Sequence, residues 1–167
     1  MNPNYHLLRL TAHILALSAN NTSFALALPE WEVTGVTLAS NQCPCGVNIL
    51  QNCHLYNKVT YATTIVGSTC VKRFLGITTF EGINLTKLFE GLTKLAKEPT
   101  GCPSREVITF ASVKYFIYPN ETEFLLKIVG KRKLTDKQDA WRSKIVYRIL
   151  NKVEVTTTTN GVPPCSN

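Results

Sequence analysis

Charge is scarce in this chain. Of its 167 residues only 17% are Asp, Glu, Lys or Arg, against about 25% in a typical soluble protein. That excludes charge-driven disorder for the bulk of the chain, and a 44% hydrophobic content is enough to build a core. No apolar run approaches the roughly 20 residues of a membrane span, so no membrane partner is expected. Aspartate is almost missing, with Asp136 and Asp139 alone. Histidine occurs three times, as His6, His13 and His54, and no two share a metal-ligand spacing. No phosphate-cradling glycine loop occurs, no nucleophile elbow, and no His-x-Glu with Cys-x-x-Cys deaminase signature. The expectation is a non-enzyme, with no catalytic residue and no small-molecule substrate. The length allows one domain, or one domain carrying a small module.

No secretory leader is expected either. The N-terminus has no basic region, and Arg9 and His13 interrupt the apolar stretch that runs to Leu17. Asn-x-Ser/Thr sequons at Asn20, Asn21, Asn84 and Asn120 would point to secretion. In a chain this rich in Thr and Asn they arise by chance. The expected setting is intracellular, not secreted.

What is abundant is concentrated. The net charge is +7, and all of that excess lies in 127–152. There Lys127, Lys131, Arg132, Lys133, Lys137, Arg142, Lys144, Arg148 and Lys152 face only Asp136 and Asp139. Cysteine is concentrated too. Four of the six fall in one spacing, Cys43-Pro-Cys45-Gly46, then Cys53, then Cys70. In a reducing compartment such a cluster suits a metal better than a disulfide. Zinc (Zn2+) in a structural role takes four soft or borderline donors in a closed tetrahedron.

Pro-Cys-Gly can turn the backbone sharply enough to aim two sulfurs at one ion. Val47–Tyr56 and Thr60–Val66 read as two strands joined near Asn57 and Lys58. Ser68 is a suitable N-cap for a helix that carries Cys70 in its first turn. Knuckle, hairpin and helix are the parts of a treble-clef finger, here a variant whose third ligand comes from the hairpin. His54 competes with Cys53 for that place, because adjacent strand residues face opposite ways. With thiolates at the other positions, Cys53 is preferred. The expected ligands are Cys43, Cys45, Cys53 and Cys70, a set that leaves zinc no open position for water. Cys102 and Cys165 read as ordinary thiols, a bridge between them being the alternative.

Three runs of these residues resemble a group of small zinc-finger-like proteins encoded by bacteriophages and other large DNA viruses. They are Leu28-Pro-Glu30-Trp31-Glu-Val, Cys43-Pro-Cys45-Gly46 with Ile49, Cys53 and Asn57, and Ile65-Val66-Gly67-Ser68-Thr-Cys70-Val-Lys72-Arg73-Phe74. A weaker match is Lys131-Arg132-Lys133-Leu134-Thr135-x-Lys137-Gln138-x-x-Trp141. The resemblance covers 28–74 and 131–151. It implies zinc, a viral origin and a place in the host cytoplasm or nucleoid, among proteins of mostly unassigned function associated with nucleic acid. One departure is that the turn after Asn57 lacks the glycine such proteins carry.

The fold class expected is α+β: a small treble-clef-like finger embedded in a mainly helical domain. Residues 1–82 would hold an N-terminal helix over Asn4–Leu17, a second helix Phe24–Leu28, a strand from Trp31 to Leu38 and the finger. Residues 83–153 would be helical, over Asn84–Ala96, Ser104–Ile117 and Glu121–Val129, the last capped by Asn120 with Glu123 in the capping box. The region ends in a basic helix capped by Thr135 and Gln138. Residues 154–167 would be a flexible tail. Trp31 reads as a buried anchor.

On the last helix Ile145, Val146, Ile149, Leu150 and Val153 fill a sector of about 140° at 100° per residue. Lys137, Trp141, Lys144, Arg148 and Lys152 share the opposite side, and Lys131, Arg132 and Lys133 extend it. A cationic stripe beside an aromatic suits a phosphate backbone and an unstacked base. A solvated helix face is the plain alternative, and Lys72 and Arg73 could add to either. The expected function is a zinc-stabilised, non-enzymatic DNA- or RNA-binding accessory protein. The alternative is a module that binds an acidic host protein with the same patch.

Overall fold

The computed structural model describes residues 3–153; the tail 154–167, with Cys165, lies outside them. The protein is of the α+β class. Helix α1 (Pro3–Leu17) leads through α2 (Phe24–Ala27) and a short 3-10 turn to a three-stranded sheet. Strands β1 (Trp31–Gln42), β2 (Asn48–Asn57) and β3 (Thr63–Gly67) form an antiparallel meander in that order. After β3 come α3 (Ser68–Phe74), the two-residue strands β4 (Thr79–Phe80) and β5 (Ile83–Asn84), and four helices. These are α4 (Leu85–Lys97), α5 (Arg105–Val113), α6 (Pro119–Ile128) and α7 (Asp136–Lys152). No helix among the described residues is long and apolar enough to cross a membrane.

The core follows from the periodicities. Leu85, Leu88, Phe89, Leu92 and Leu95 bury one stripe of α4, and Ile145, Val146 and Ile149 bury one stripe of α7. They join Leu10 and Ile14 of α1, Trp31, Leu55 and Val66 of the sheet and Val107 and Phe110 of α5 in a single buried cluster. The amide of Leu38 donates to the carbonyl of Val153 at 3.0 Å, so the end of α7 is pinned to β1.

Trp31 is the anchor expected of it. It is 4% exposed, and its indole N–H donates to Ser18 Oγ at 2.8 Å. Glu30 beside it is a hub. Its carboxylate accepts from the amides of Ala19 and Asn20 and from Asn57 Nδ2, each at 2.8 Å. The Asn57 hydrogen bond, then the backbone ones, hold the Glu30 carboxyl below its ordinary range. Asn57 Oδ1 in turn accepts from the amides of Val59 and Thr60 at 2.8 and 2.9 Å. That side chain closes the turn that lacks glycine, and Tyr61 takes the left-handed backbone at φ 63° in its place.

Two caps and one helix end depart from the sequence expectation. Gly67, not Ser68, is the N-cap of α3; Ser68 Oγ donates instead to Gln51 Oε1 at 2.8 Å. Tyr118 precedes α6, and Glu121 rather than Glu123 reaches back to its amide at 2.9 Å. Proline at the first helical position starts that helix before Asn120 can cap it. Helix α5 stops at Val113 because Tyr115, at φ 56°, ends it. The amides of Tyr115 and Phe116 turn back onto the carbonyls of Ser112 and Ala111 at 3.0 and 2.8 Å, a Schellman closure without glycine.

Candidate metal centre and the basic face

The loop between β1 and β2 is the knuckle. Gly46 N–H donates to the Cys43 carbonyl at 2.7 Å and Cys43 N–H to the Val47 carbonyl at 2.9 Å, closing a tight turn. Gly46 sits at φ 93°, and a side chain there would collide with the Arg9 guanidinium. Cys43 and Cys45 leave this turn on one side, and Cys70 comes in from the first turn of α3. The three sulfurs all lie within 4.8 Å of one another. They are 1%, 1% and 9% exposed, so the group is buried with an edge at Cys70. A trio of thiols at this separation is positioned to hold a metal ion.

Its electrostatics are those of a poised ligand set. Hydrogen bonding from the Cys70 thiol, helped by the Gly67 amide 3.5 Å from Cys43 Sγ, draws Cys43 down to about 5 despite its burial. Hydrogen bonding with Cys43 pushes Cys70 up, its Sγ also lying 3.5 Å from Cys45 Sγ, and Cys45 is raised chiefly by burial. The three thiols thus lie within hydrogen-bonding reach of one another, with Cys43 the most readily ionised, and a dication would displace their protons.

The structure does not bring Cys53 into this group. Ile49, Gln51 and Cys53 share one face of β2, and Gln51, bonded to Ser68, already meets the start of α3. Cys53, farther along, is opposite Val36 and Val66 in the middle of the sheet and 0% exposed. Burial pushes its thiol up to about 12, the state of a neutral core side chain. His54 lies on the other face, its Nε2 2.9 Å from Thr37 Oγ1. The case against an open coordination position therefore loses its fourth thiolate. Cys102 is a free thiol with an exposed flank.

Three residues of α1 that the sequence did not single out surround the trio. His6 donates from Nδ1 to the Cys45 carbonyl at 2.8 Å, Arg9 packs on the knuckle at Gly46, and His13 Nε2 lies 2.7 Å from Thr64 Oγ1. Burial lowers the His13 pKa while the Cys43 thiolate acts to raise it, which places the ring in the field of the centre. Their spacing, three and four residues apart, is one helical face. That periodicity was the available signal.

The basic segment is divided by the fold. Lys131, Arg132 and Lys133 in the α6–α7 connection are exposed, as are Lys137, Lys144 and Lys152 on α7. Arg148 is engaged elsewhere. Its guanidinium donates to Glu121 Oε2 at 2.8 Å and lies 5.5 Å from the centre of the Tyr118 ring. Trp141 is 39% exposed and stacks on Phe124, the ring centres 4.1 Å apart. Arg142 is 2% exposed and structural. It bonds the carbonyls of Thr100 and Gly101 and the Asp139 carboxylate. Lys127 pairs with Glu123 at 3.9 Å. Six cations thus face solvent with no acidic partner among the described residues.

No protein-family model, no curated protein and no solved structure matches the chain.

Proposed function

We propose that this is a zinc-stabilised, non-enzymatic protein that binds nucleic acid through the exposed cations of the α6–α7 connection and α7. The observation that carries the reading is the set Lys131, Arg132, Lys133, Lys137, Lys144 and Lys152, all exposed on one short stretch of chain. The cysteine trio is the scaffold on this account, with thiolates selecting a soft or borderline ion such as zinc. Knuckle, hairpin and α3 follow one another in treble-clef order. The free thiols among the described residues suit a reducing, intracellular setting, in keeping with the phage or viral origin that the sequence resemblance implies.

With Arg148 and Trp141 tied to α6, binding rests on phosphate neutralisation more than on base stacking, so it is weakly sequence-specific and strongly salt-dependent. Fluorescence anisotropy of labelled DNA and RNA tests this. Six phosphate contacts would weaken binding about a thousandfold between about 50 and 200 mM salt. Binding of neither nucleic acid below about micromolar at low salt would overturn the reading. It would leave an acidic protein as the partner of the same six cations.

A further inference from the structure

We propose that the metal held by Cys43, Cys45 and Cys70 keeps one coordination position open to the surface. That position takes a neutral donor from outside the chain: water in the isolated protein, and the imidazole ring of an incoming ligand in its complex. The inference rests on the reading that the trio binds a metal. It adds what completes the site.

Three observations support it. Tetrahedral zinc needs four donors. Among the described residues no fourth His, Cys, Asp or Glu atom joins the three sulfurs within 4.8 Å. Next to the trio lies a groove of about 490 Å³ lined by Cys45 and Cys70 but not by Cys43. Two of the three ligands therefore form the wall of a space large enough to admit a ring. That space is lined by Val47, Ile49 and Leu50, of which Val47 is 44% and Leu50 64% exposed, together with the polar Asn48, Gln51, Ser68 and Thr69.

The charge and the lining select the donor. Three thiolates on a dication already carry one net negative charge in a site at most 9% exposed. A fourth anion would add a second charge where desolvation is costly. A neutral nitrogen adds none and suits a borderline metal. The aliphatic wall favours a flat ring over a small hydrated ion. Among the described residues no His, Asp or Glu lines the groove to move a proton, so the open position binds and does not hydrolyse. His6 and His13 are the two rings of this chain near the knuckle. Both are engaged in hydrogen bonds, to the Cys45 carbonyl and the Thr64 hydroxyl.

Cobalt(II) substituted into the full chain reports its ligands in the visible spectrum. Titration with imidazole is expected to shift that spectrum saturably, with one imidazole per cobalt and the cobalt retained on dialysis. His6→Ala and His13→Ala remove hydrogen bonds around the site and not a ligand, so each should still take up one imidazole per cobalt. An unchanged wild-type spectrum under imidazole would overturn the open position, as would uptake of a second imidazole by either histidine variant. Failure to bind zinc or cobalt at all overturns the metal reading as well. That outcome is told apart by metal content, which a closed but loaded site would keep.

Discussion

The knuckle and helix α7 treat their candidate functional side chains in opposite ways. At the knuckle the fold gathers. Residues 25 or more apart in sequence, Cys43 and Cys45 against Cys70, meet in a buried pocket. A hydrogen-bonded turn and a helix start aim them, and Arg9 and His6 pack on the outside. On α7 the fold disperses. The face that carries Lys144 and Lys152 is left to solvent, while Arg142 and Arg148 on the same helix are drawn into structural bonds. The difference is one of cost. Thiols can be buried largely protonated and give up their remaining protons on metal binding, whereas a buried guanidinium carries its charge from the start and needs partners for it. Arg142 meets most of that demand through its terminal nitrogens, bonded to the Thr100 and Gly101 carbonyls and the Asp139 carboxylate, while its Nε has no partner, and the lysines avoid it by staying wet.

The largest effect that would break this contrast is at the knuckle. Cys43→Ser should remove the metal and with it the folding free energy that binding supplies, which reaches about 10 kcal/mol for small structural zinc sites. Thermal unfolding should then be broad or already under way at ambient temperature. Cys53→Ser should keep the metal and cost only about 1–3 kcal/mol, the penalty of a buried hydroxyl. If the two variants melt alike, Cys53 belongs to the centre.

Next in size is Arg142→Met. It leaves the Thr100 and Gly101 carbonyls without their donor and should lower stability by about 3 kcal/mol in a denaturant titration. Nucleic-acid affinity of the folded variant should stay within about twofold. Arg148→Met leaves the buried Glu121 carboxylate without its cation. It should cost about 1–2 kcal/mol, the pair being discounted because the Arg148 side chain is 38% exposed. Lys144→Ala should stay within about 0.5 kcal/mol of wild type and reduce the salt slope of nucleic-acid binding by about one. A stability loss at Lys144 equal to that at Arg148 would erase the division of the face.

The smallest effect concerns pH. Glu30 has a folded pKa below its ordinary 4.5, so its stabilisation is fully present above that value and is lost as pH falls through the lower folded one. Wild-type melting temperature should therefore drop more steeply below about pH 4.5 than that of Glu30→Gln. Parallel curves would remove Glu30 from its role as the hub of Ala19, Asn20 and Asn57.

Much of this architecture could be read directly from the sequence where one residue or one period decides it. The stripes of α4 and α7, the Thr135 and Gln138 capping box and the strand–turn–strand around Asn57 all appear where local chemistry puts them. What could not be read depends on contacts that no local rule contains. Ser68 gives up the cap because Gln51 offers it a partner across the sheet. Tyr61, Glu81 and Tyr115 adopt left-handed backbones without being glycine, so the backbone path within the turn at 57–62 and the end of α5 carried no signal. At the site, spacing identified Cys43, Cys45 and Cys70 but could not separate Cys53 from them. Only the pairing of β2 with β1 and β3 shows that Cys53 lies opposite Val36 and Val66 in the middle of the sheet. The roles of Arg142, Arg148 and Trp141 were hidden for a similar reason: a helical wheel shows which residues share a side, not which neighbour stands beside it.

The central claim is that three cysteines, and not four, hold one metal. Metal content per chain, measured on freshly reduced wild-type protein and on single serine variants of Cys43, Cys45, Cys53 and Cys70, tests it most directly. The account predicts about one zinc in wild type and in Cys53→Ser, and a loss of most of it in the other three. A metal-free wild type, or a Cys53→Ser variant as empty as Cys43→Ser, would contradict it.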